Sequence, residues 1–431
     1  MEQRAAADLD DLIVFLSRLT GLLLRSSGEG AHLIGQSVAD GARAYGGSAS
    51  LLLVPEAAAL TVTAADGRSR TVYGFPEVFR LDQVAALKPL LAGVRSGRIG
   101  LAEADRALAA VEAAPAPYPW WLKLLGIVLF ALGFAPLMQP TWYEIATTAV
   151  LGALAAALAV TADRVPRLAR TLPLVVSAAV SVVTIELFAD DPARGGPVLL
   201  MLPALFYFVP GDYLSAATAE LSAGLITTGA IRLVYSVFLL VQLYVGVLLG
   251  VVITGTSTRA LFDVVADADL PRWALFLAWF VFTAGTLFAF AIPVRFFWPL
   301  LLLVYVTVGV QSAFTKLVGD AGGTFVGAVV LAAATTLIAR RPGRPPRLIL
   351  LLPGFFTLTV GSLGMRGLTT LAGGYVIEGF ADLLKLVTIV TAIAVGLVVG
   401  GALTEERDVT RGAVHPQAPR TPSVAKERDG T

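Results

Sequence analysis

The sequence contains no cysteine and only two histidines, His32 and His415. The first absence removes disulfides, thiolate metal sites and cysteine nucleophiles. The second removes histidine-based metal or triad chemistry from a membrane interior, because both histidines lie outside the apolar region. Charge is scarce too. Asp, Glu, Lys and Arg make up 15% of the 431 residues, against about 25% in a soluble domain. The net charge is +1, so nothing points to nucleic acid or an acidic partner. No nucleotide cassette is present: Gly28-Glu29-Gly30 lacks the Lys-Ser/Thr pair and preceding strand of a phosphate loop and reads as a turn. No metal or cofactor is expected. What the chain has in abundance is apolar sequence, 56% of its residues, with mean hydropathy +0.78. Most of it belongs in lipid.

Residues 1–119 have the pattern of a small α/β domain ending in a Pro-rich linker. Leu12, Phe15, Leu16, Leu19, Leu22 and Leu23 recur at helical spacing. A second helix is predicted over 30–45, short strands over 48–54, 59–64 and 70–73, and helices over 81–95 and 101–113. The start, MEQRAAADLDD, leads into an amphipathic stretch and not a signal-peptide core, so this domain is expected in the cytosol.

A spanning helix needs about 20 mostly apolar residues. Ten candidates follow, near 121–138, 142–161, 171–188, 197–210, 233–253, 273–291, 294–313, 321–339, 348–361 and 383–403. Arginines crowd the loops 163–170 and 340–347, which ten spans from a cytosolic N-terminus place in the cytosol. The acidic loops 190–196 and 255–271 then fall outside. Residues 405–431 are polar and charged and read as a disordered cytosolic tail.

Shifting 200–250 forward by 150 residues lays it over 350–400 with 13 of 51 positions identical. Pro203 falls on Pro353, and Gly211, Gly224, Gly229, Gly246 and Gly250 fall on Gly361, Gly374, Gly379, Gly396 and Gly400. Glycine is placed by backbone need and not by hydropathy. The fold expected is an α-helical polytopic membrane protein of two inverted five-helix repeats, residues 120–254 and 255–404. That architecture is a recurrent basis for alternating access.

The unusual segments run from Pro203 to Arg232 and from Pro353 to Asp382. Each opens with a short Pro-containing span, reaches glycine, and continues with small and polar residues, too polar for an ordinary span and too apolar for a free loop. Broken helices lining a cavity fit both facts, and exposed backbone groups at a break can bind a carboxylate or an ammonium. An interfacial hairpin without a ligand is the alternative. The candidate site is Pro203, Pro210, Gly211, Asp212, Glu220, Arg232, Pro353, Gly361, Glu378 and Asp382. Asp212 and Glu220 stand two helical turns apart. Arg232 and its repeat mate Asp382 carry opposite charges that could pair across the pseudo-twofold; the alternative is that each is an interfacial residue facing water. Asp212, Glu220, Glu378 and Asp382 are the candidate carriers of a coupling proton. Glu186, Lys316, Asp320 and Lys385 read as interfacial. The broken segments lack a large aromatic cluster, which suits a small substrate.

Three stretches resemble the bacterial threonine/serine exporter family. They are LTGLLLRSSGEGAHLIGQSVADGARAYGG, the Leu101–Pro119 helix and linker, and LPALFYFVPGDYLSAATAELSAGLITTGAIRLVYS. The chain departs from the family at Gln36, where an acidic residue is usual. The resemblance implies a ten-span carrier of the inner membrane with both termini cytosolic. It also implies export of threonine and serine driven by the proton motive force. A carrier of another small metabolite, such as a dicarboxylate or short peptide, is the alternative. A membrane-anchored hydrolase would draw on Ser26, Ser27, His32 and Asp40, but no Gly-x-Ser-x-Gly elbow accompanies them.

Overall fold

The computed structural model describes residues 9–25, 31–54, 57–64, 66–74, 80–169, 171–222, 224–261, 264–341, 343–358, 367, 370 and 374–404. The tail beyond 404 and the candidate Gly361 lie outside them.

The N-terminal part contains the elements its periodicity predicts. Helix α1 (Leu9–Arg25) buries its apolar stripe, with Phe15, Leu16 and Leu19 fully covered. Around it stand α2 (Ala31–Ala44), an antiparallel sheet of β1 (Ser48–Val54), β2 (Ala57–Thr63) and β3 (Ser69–Gly74), then α3 (Leu81–Arg95) and α4 (Leu101–Ala113). These elements share one hydrophobic core. Arg18 ties α1 to α4 through Asp105 at 2.7 Å and Glu112 at 3.3 Å.

The rest is helical: α5 (Trp120–Met138), α6 (Trp142–Ala162), α7 (Pro166–Ala169), α8 (Leu172–Leu187), α9 (Pro197–Leu205), α10 (Gly211–Ser222), α11 (Ile226–Ile253), α12 (Arg272–Ala289), α13 (Phe297–Ala339), α14 (Arg347–Thr357) and α15 (Val376–Thr404). Six helical stretches among the described residues are long and apolar enough to cross a membrane, and α8, α9 with its following turn, and α14 are shorter apolar helices. The protein is thus a polytopic membrane protein.

One of the six, covering α13, runs for 46 residues. Helix α13 itself, at 43 residues, would be about 65 Å long if straight, twice the hydrocarbon thickness. It is broken at Gly319, whose φ of 79° is left-handed. Gly323 approaches Thr315 and Gly327 approaches Gln311, so the two legs fold back antiparallel. Gln311 Nε2 donates to Thr324 Oγ1 across the hairpin at 3.2 Å.

Small residues set the helix crossings. A Cβ on Gly246 would meet Leu174 and Ser177, and one on Gly250 would meet Ala178 and Ser181, so α8 and α11 run parallel. A Cβ on Gly396 would meet Phe325 and Ala328, and one on Gly400 would meet Val329 and Ala332, so the second leg of α13 and α15 also run parallel. Partners and glycines alike lie about 150 residues apart. A second echo, at a shift of 152, joins Trp121, Leu125, Phe130 and Gly133 to Trp273, Leu277, Phe282 and Gly285. Gly133 packs on the backbone of Phe282 and Gly285 on that of Phe130, so these equivalent helices, α5 and α12, cross antiparallel.

The loops segregate by end. Gly196 N donates to Val264 O at 2.8 Å, joining the two acidic loops, and Ala266 N donates to Gln139 Oε1 at 3.0 Å. At the opposite end the N-terminal part docks on the Arg-rich loop after α13. Lys88 Nζ donates there to the carbonyls of Ala339 (2.5 Å), Arg344 (2.7 Å), Pro345 (3.3 Å) and Arg341 (3.4 Å). Burial lowers the Lys88 pKa from its ordinary value.

Candidate functional site

The chain between α8 and α11 is a broken helix. All nine residues of α9 are buried, Pro203 among them. A 3₁₀ turn over Phe206–Phe208 follows, and Pro210, which has no N–H to continue a helix, stands at the break. Helix α10 restarts at Gly211, where a Cβ would lie 3.2 Å from the rings of both Phe355 and Phe356. The break before α10 therefore rests on the end of α14. Pro353 is buried within α14. Asp212 stands in the first turn of α10, and its side chain lies outside the described residues.

Helix α10 is no peripheral hairpin. Its Leu214 is buried in a cluster with Leu331, Phe355, Ile389 and Ile393 of the other half. It turns into α11 at Gly224, whose φ is 79°. The same turn recurs before α15. Gly374 has φ 92°. Leu225 N donates to Glu220 O at 2.9 Å and Tyr375 N to Thr370 O at 3.1 Å. Gly229 N donates to Leu225 O at 3.0 Å and Gly379 N to Tyr375 O at 2.9 Å. Among the described residues the two turns share the left-handed glycine and the closing hydrogen bonds.

Their side chains differ. In the first hairpin Arg232 Nε lies 3.2 Å from Glu220 Oε2, with the side chains 7% and 1% exposed. A buried pair of this kind holds together because either charge alone would be stranded away from water. Arg232 lies inside α11, which starts seven residues before the predicted span at 233 because Glu220 neutralises that charge within the protein. In the second hairpin the equivalent positions are Thr370 and Asp382. Thr370 is buried, and its hydroxyl has no hydrogen-bond partner among the described residues. Asp382 is half-buried and Glu378 exposed, one turn apart on α15. The ion pair shown for Arg232 thus lies within its own repeat. Glu186, Lys316, Asp320 and Lys385 are exposed, and the last two pair at 2.5 Å.

The broken segments hold few of the rings around the breaks, but other elements bring more to them. Phe206 and Phe356, repeat mates, stand 5.5 Å apart between ring centroids. Phe130 lies 5.7 Å from Phe206, 5.2 Å from Phe356 and 5.0 Å from Phe282, so the rings converge where the broken helices meet. Only two of these rings come from the broken segments. The other elements bring the rest, which is why the segments by themselves did not reveal the cluster.

One buried carboxylate escaped the sequence reading. Glu144, at the start of α6, is fully buried. Its backbone N–H donates to the capping hydroxyl of Thr141 at 3.0 Å, and its carboxylate accepts from Gln139 Nε2 at 3.2 Å and Thr148 Oγ1 at 3.5 Å. Thr141-x-x-Glu144 matches a capping box, a signal that explains the residue locally and so hides its burial.

The model of the ThrE family, described as "Putative threonine/serine exporter", matches residues 15–254, more than half of the chain and including both members of the Glu220–Arg232 pair. The "Probable threonine/serine exporter" of Mycobacterium tuberculosis (strain ATCC 25618 / H37Rv) is 25% identical over 337 residues, 74% of this chain. The match spans 61% of that relative's length. No solved structure matches. With its broken helix and buried ion pair inside the matched region, the chain belongs to the threonine/serine exporter family.

Proposed function

We propose that this protein is a secondary exporter of small hydroxy amino acids, threonine and serine, driven by the proton motive force. The observation that carries the reading is the duplicated broken-helix turn around Gly224 and Gly374, with a buried ion pair under one copy. The names of the family and of the mycobacterial relative supply the substrate class. In this reading α5, α6, α8, α9, α11, α12, the two legs of α13, α14 and α15 are ten spans. The antiparallel crossing of α5 and α12 supports an inverted relation between the two halves. The N-terminal α/β part sits in the cytosol beside the Arg-rich loops, both termini are cytosolic, and the membrane is the bacterial inner one.

A zwitterion suits such a site. Glu220 offers a carboxylate to the ammonium, Arg232 a guanidinium to the carboxylate, and Thr370 a hydroxyl to the side-chain hydroxyl. The converging phenylalanines close the path on one side of the break. Proton coupling falls to a carboxylate of the first hairpin, Asp212 or Glu220, or of α15, Glu378 or Asp382. The family speaks for a transporter rather than an enzyme.

The test is export from cells loaded with a threonine-containing dipeptide, with and without the protein, before and after a protonophore. Faster external accumulation of threonine and serine that the protonophore abolishes is expected. An unchanged rate with folded protein in the membrane would move the substrate to another small metabolite.

A further inference from the structure

The α13 hairpin leaves a cavity of about 310 Å³ between its two open ends, lined by Trp298, Pro299 and Leu302 of the first leg and Ile338, Arg341 and Arg344 at the end of the second. Its floor is apolar and uncovered: Trp298 is 70% exposed and Leu302 61%. Its rim is cationic. Arg341 and Arg344 are exposed, and neither has an acidic partner among the described residues. Lys88 Nζ lies within hydrogen-bond distance of the nearby carbonyls of Ala339, Arg341, Arg344 and Pro345. That ammonium also offsets the negative end of the second leg. Two free guanidinium groups therefore stand above an apolar trough with a tryptophan at its side, at the end of a membrane-length hairpin.

We infer that this cavity is a binding site for an anionic phospholipid, its phosphate held by Arg341 and Arg344 and its glycerol and upper acyl chain laid over Trp298, Leu302 and Ile338. Charge complementarity selects the occupant. Guanidinium forks match phosphate oxygens in pairs. Tryptophan sits at headgroup level. Basic pockets between spanning helices take acidic headgroups on the cytosolic side. An acidic protein segment would satisfy the arginines but leave no reason for an uncovered apolar floor continuous with the lipid-facing surface. The bound lipid would brace the loop that leads into α14 and also holds the N-terminal part through Lys88.

The test is lipid retention by the full-length protein purified in neutral detergent. The protein is offered phosphatidylglycerol or phosphatidylcholine with the same oleoyl chains, and bound lipid is counted by native mass spectrometry. Wild-type protein is expected to retain phosphatidylglycerol at least tenfold over phosphatidylcholine. Arg341→Gln with Arg344→Gln should bring retention down to the phosphatidylcholine level, and the two Arg→Lys changes should keep most of the preference. Equal retention of the two lipids by the wild-type protein overturns the proposal with no variant needed. Displacement of phosphatidylglycerol by millimolar inorganic phosphate overturns it in favour of a free anion. The assay involves no transport, so its outcome is separate from that of the exporter reading.

Discussion

The turn into α11 and the turn into α15 match in their described residues and differ in chemistry. Both turn on a left-handed glycine, Gly224 and Gly374, and both close with equivalent hydrogen bonds. Yet one encloses Glu220 and Arg232, and the other presents Thr370 and Asp382 at the same places. A duplicated scaffold keeps what folding needs, the turn and the close helix crossings. Charged side chains are free to differ on matching turns, so on the proposed reading the two halves offer a substrate different groups.

Breaking the charge pair gives the largest expected difference between the copies. Arg232→Met removes the cation beside the buried Glu220 carboxylate and is expected to cost about 3–5 kcal/mol, read as a lowered unfolding midpoint in detergent. Asp382→Asn, in the less buried copy, should cost under about 1 kcal/mol. Equal losses would show that the two positions have the same environment after all. Glu220→Leu combined with Arg232→Met should return to within about 2 kcal/mol of the wild type while abolishing threonine efflux, separating the pair's role in the fold from its role in transport.

The helix crossings should respond alike in both halves. Gly246→Ala and Gly396→Ala each drive a methyl into the neighbouring helix, and each is expected to cost about 1–3 kcal/mol. A loss confined to one would mean that only that crossing is tight. Smaller again are Gly224→Ala and Gly374→Ala, which force an L-residue into the left-handed region at about 1–2 kcal/mol apiece. Matching shifts in midpoint would confirm that the turns are interchangeable. The smallest change in stability is expected for Thr370→Val, within about 1 kcal/mol because its hydroxyl has no hydrogen-bond partner among the described residues. The same change should raise the KM for threonine efflux several-fold. An unaltered KM removes Thr370 from the substrate's surroundings.

The N-terminal elements were legible almost to the residue, because their apolar positions recur with one clear period and glycine or proline marks their ends. The Pro210–Gly211 break was legible for the same reason. The start of α11 was not, since Arg232 inside a helix reads as interfacial until its partner is known. Glu144 was missed because a capping motif accounts for a glutamate at a helix start whether or not the side chain is then covered. The match between α5 and α12 was present in the sequence at a shift of 152 and became conspicuous only once Gly133 and Gly285 were seen at one crossing.

The sequence by itself placed most of this chain in a membrane, excluded thiol chemistry, and carried the glycine-spaced echo between 200–250 and 350–400. Those conclusions follow from hydropathy, residue type and glycine spacing, which are local and additive along the chain. The pairing of Glu220 with Arg232, the phenylalanines converging from α5, α12, α14 and the turn after α9, and the capture of the α13 loop by Lys88 were decided by the tertiary structure. Each depends on groups from separate elements meeting at van der Waals or hydrogen-bond distance, and no one-dimensional pattern carries those distances.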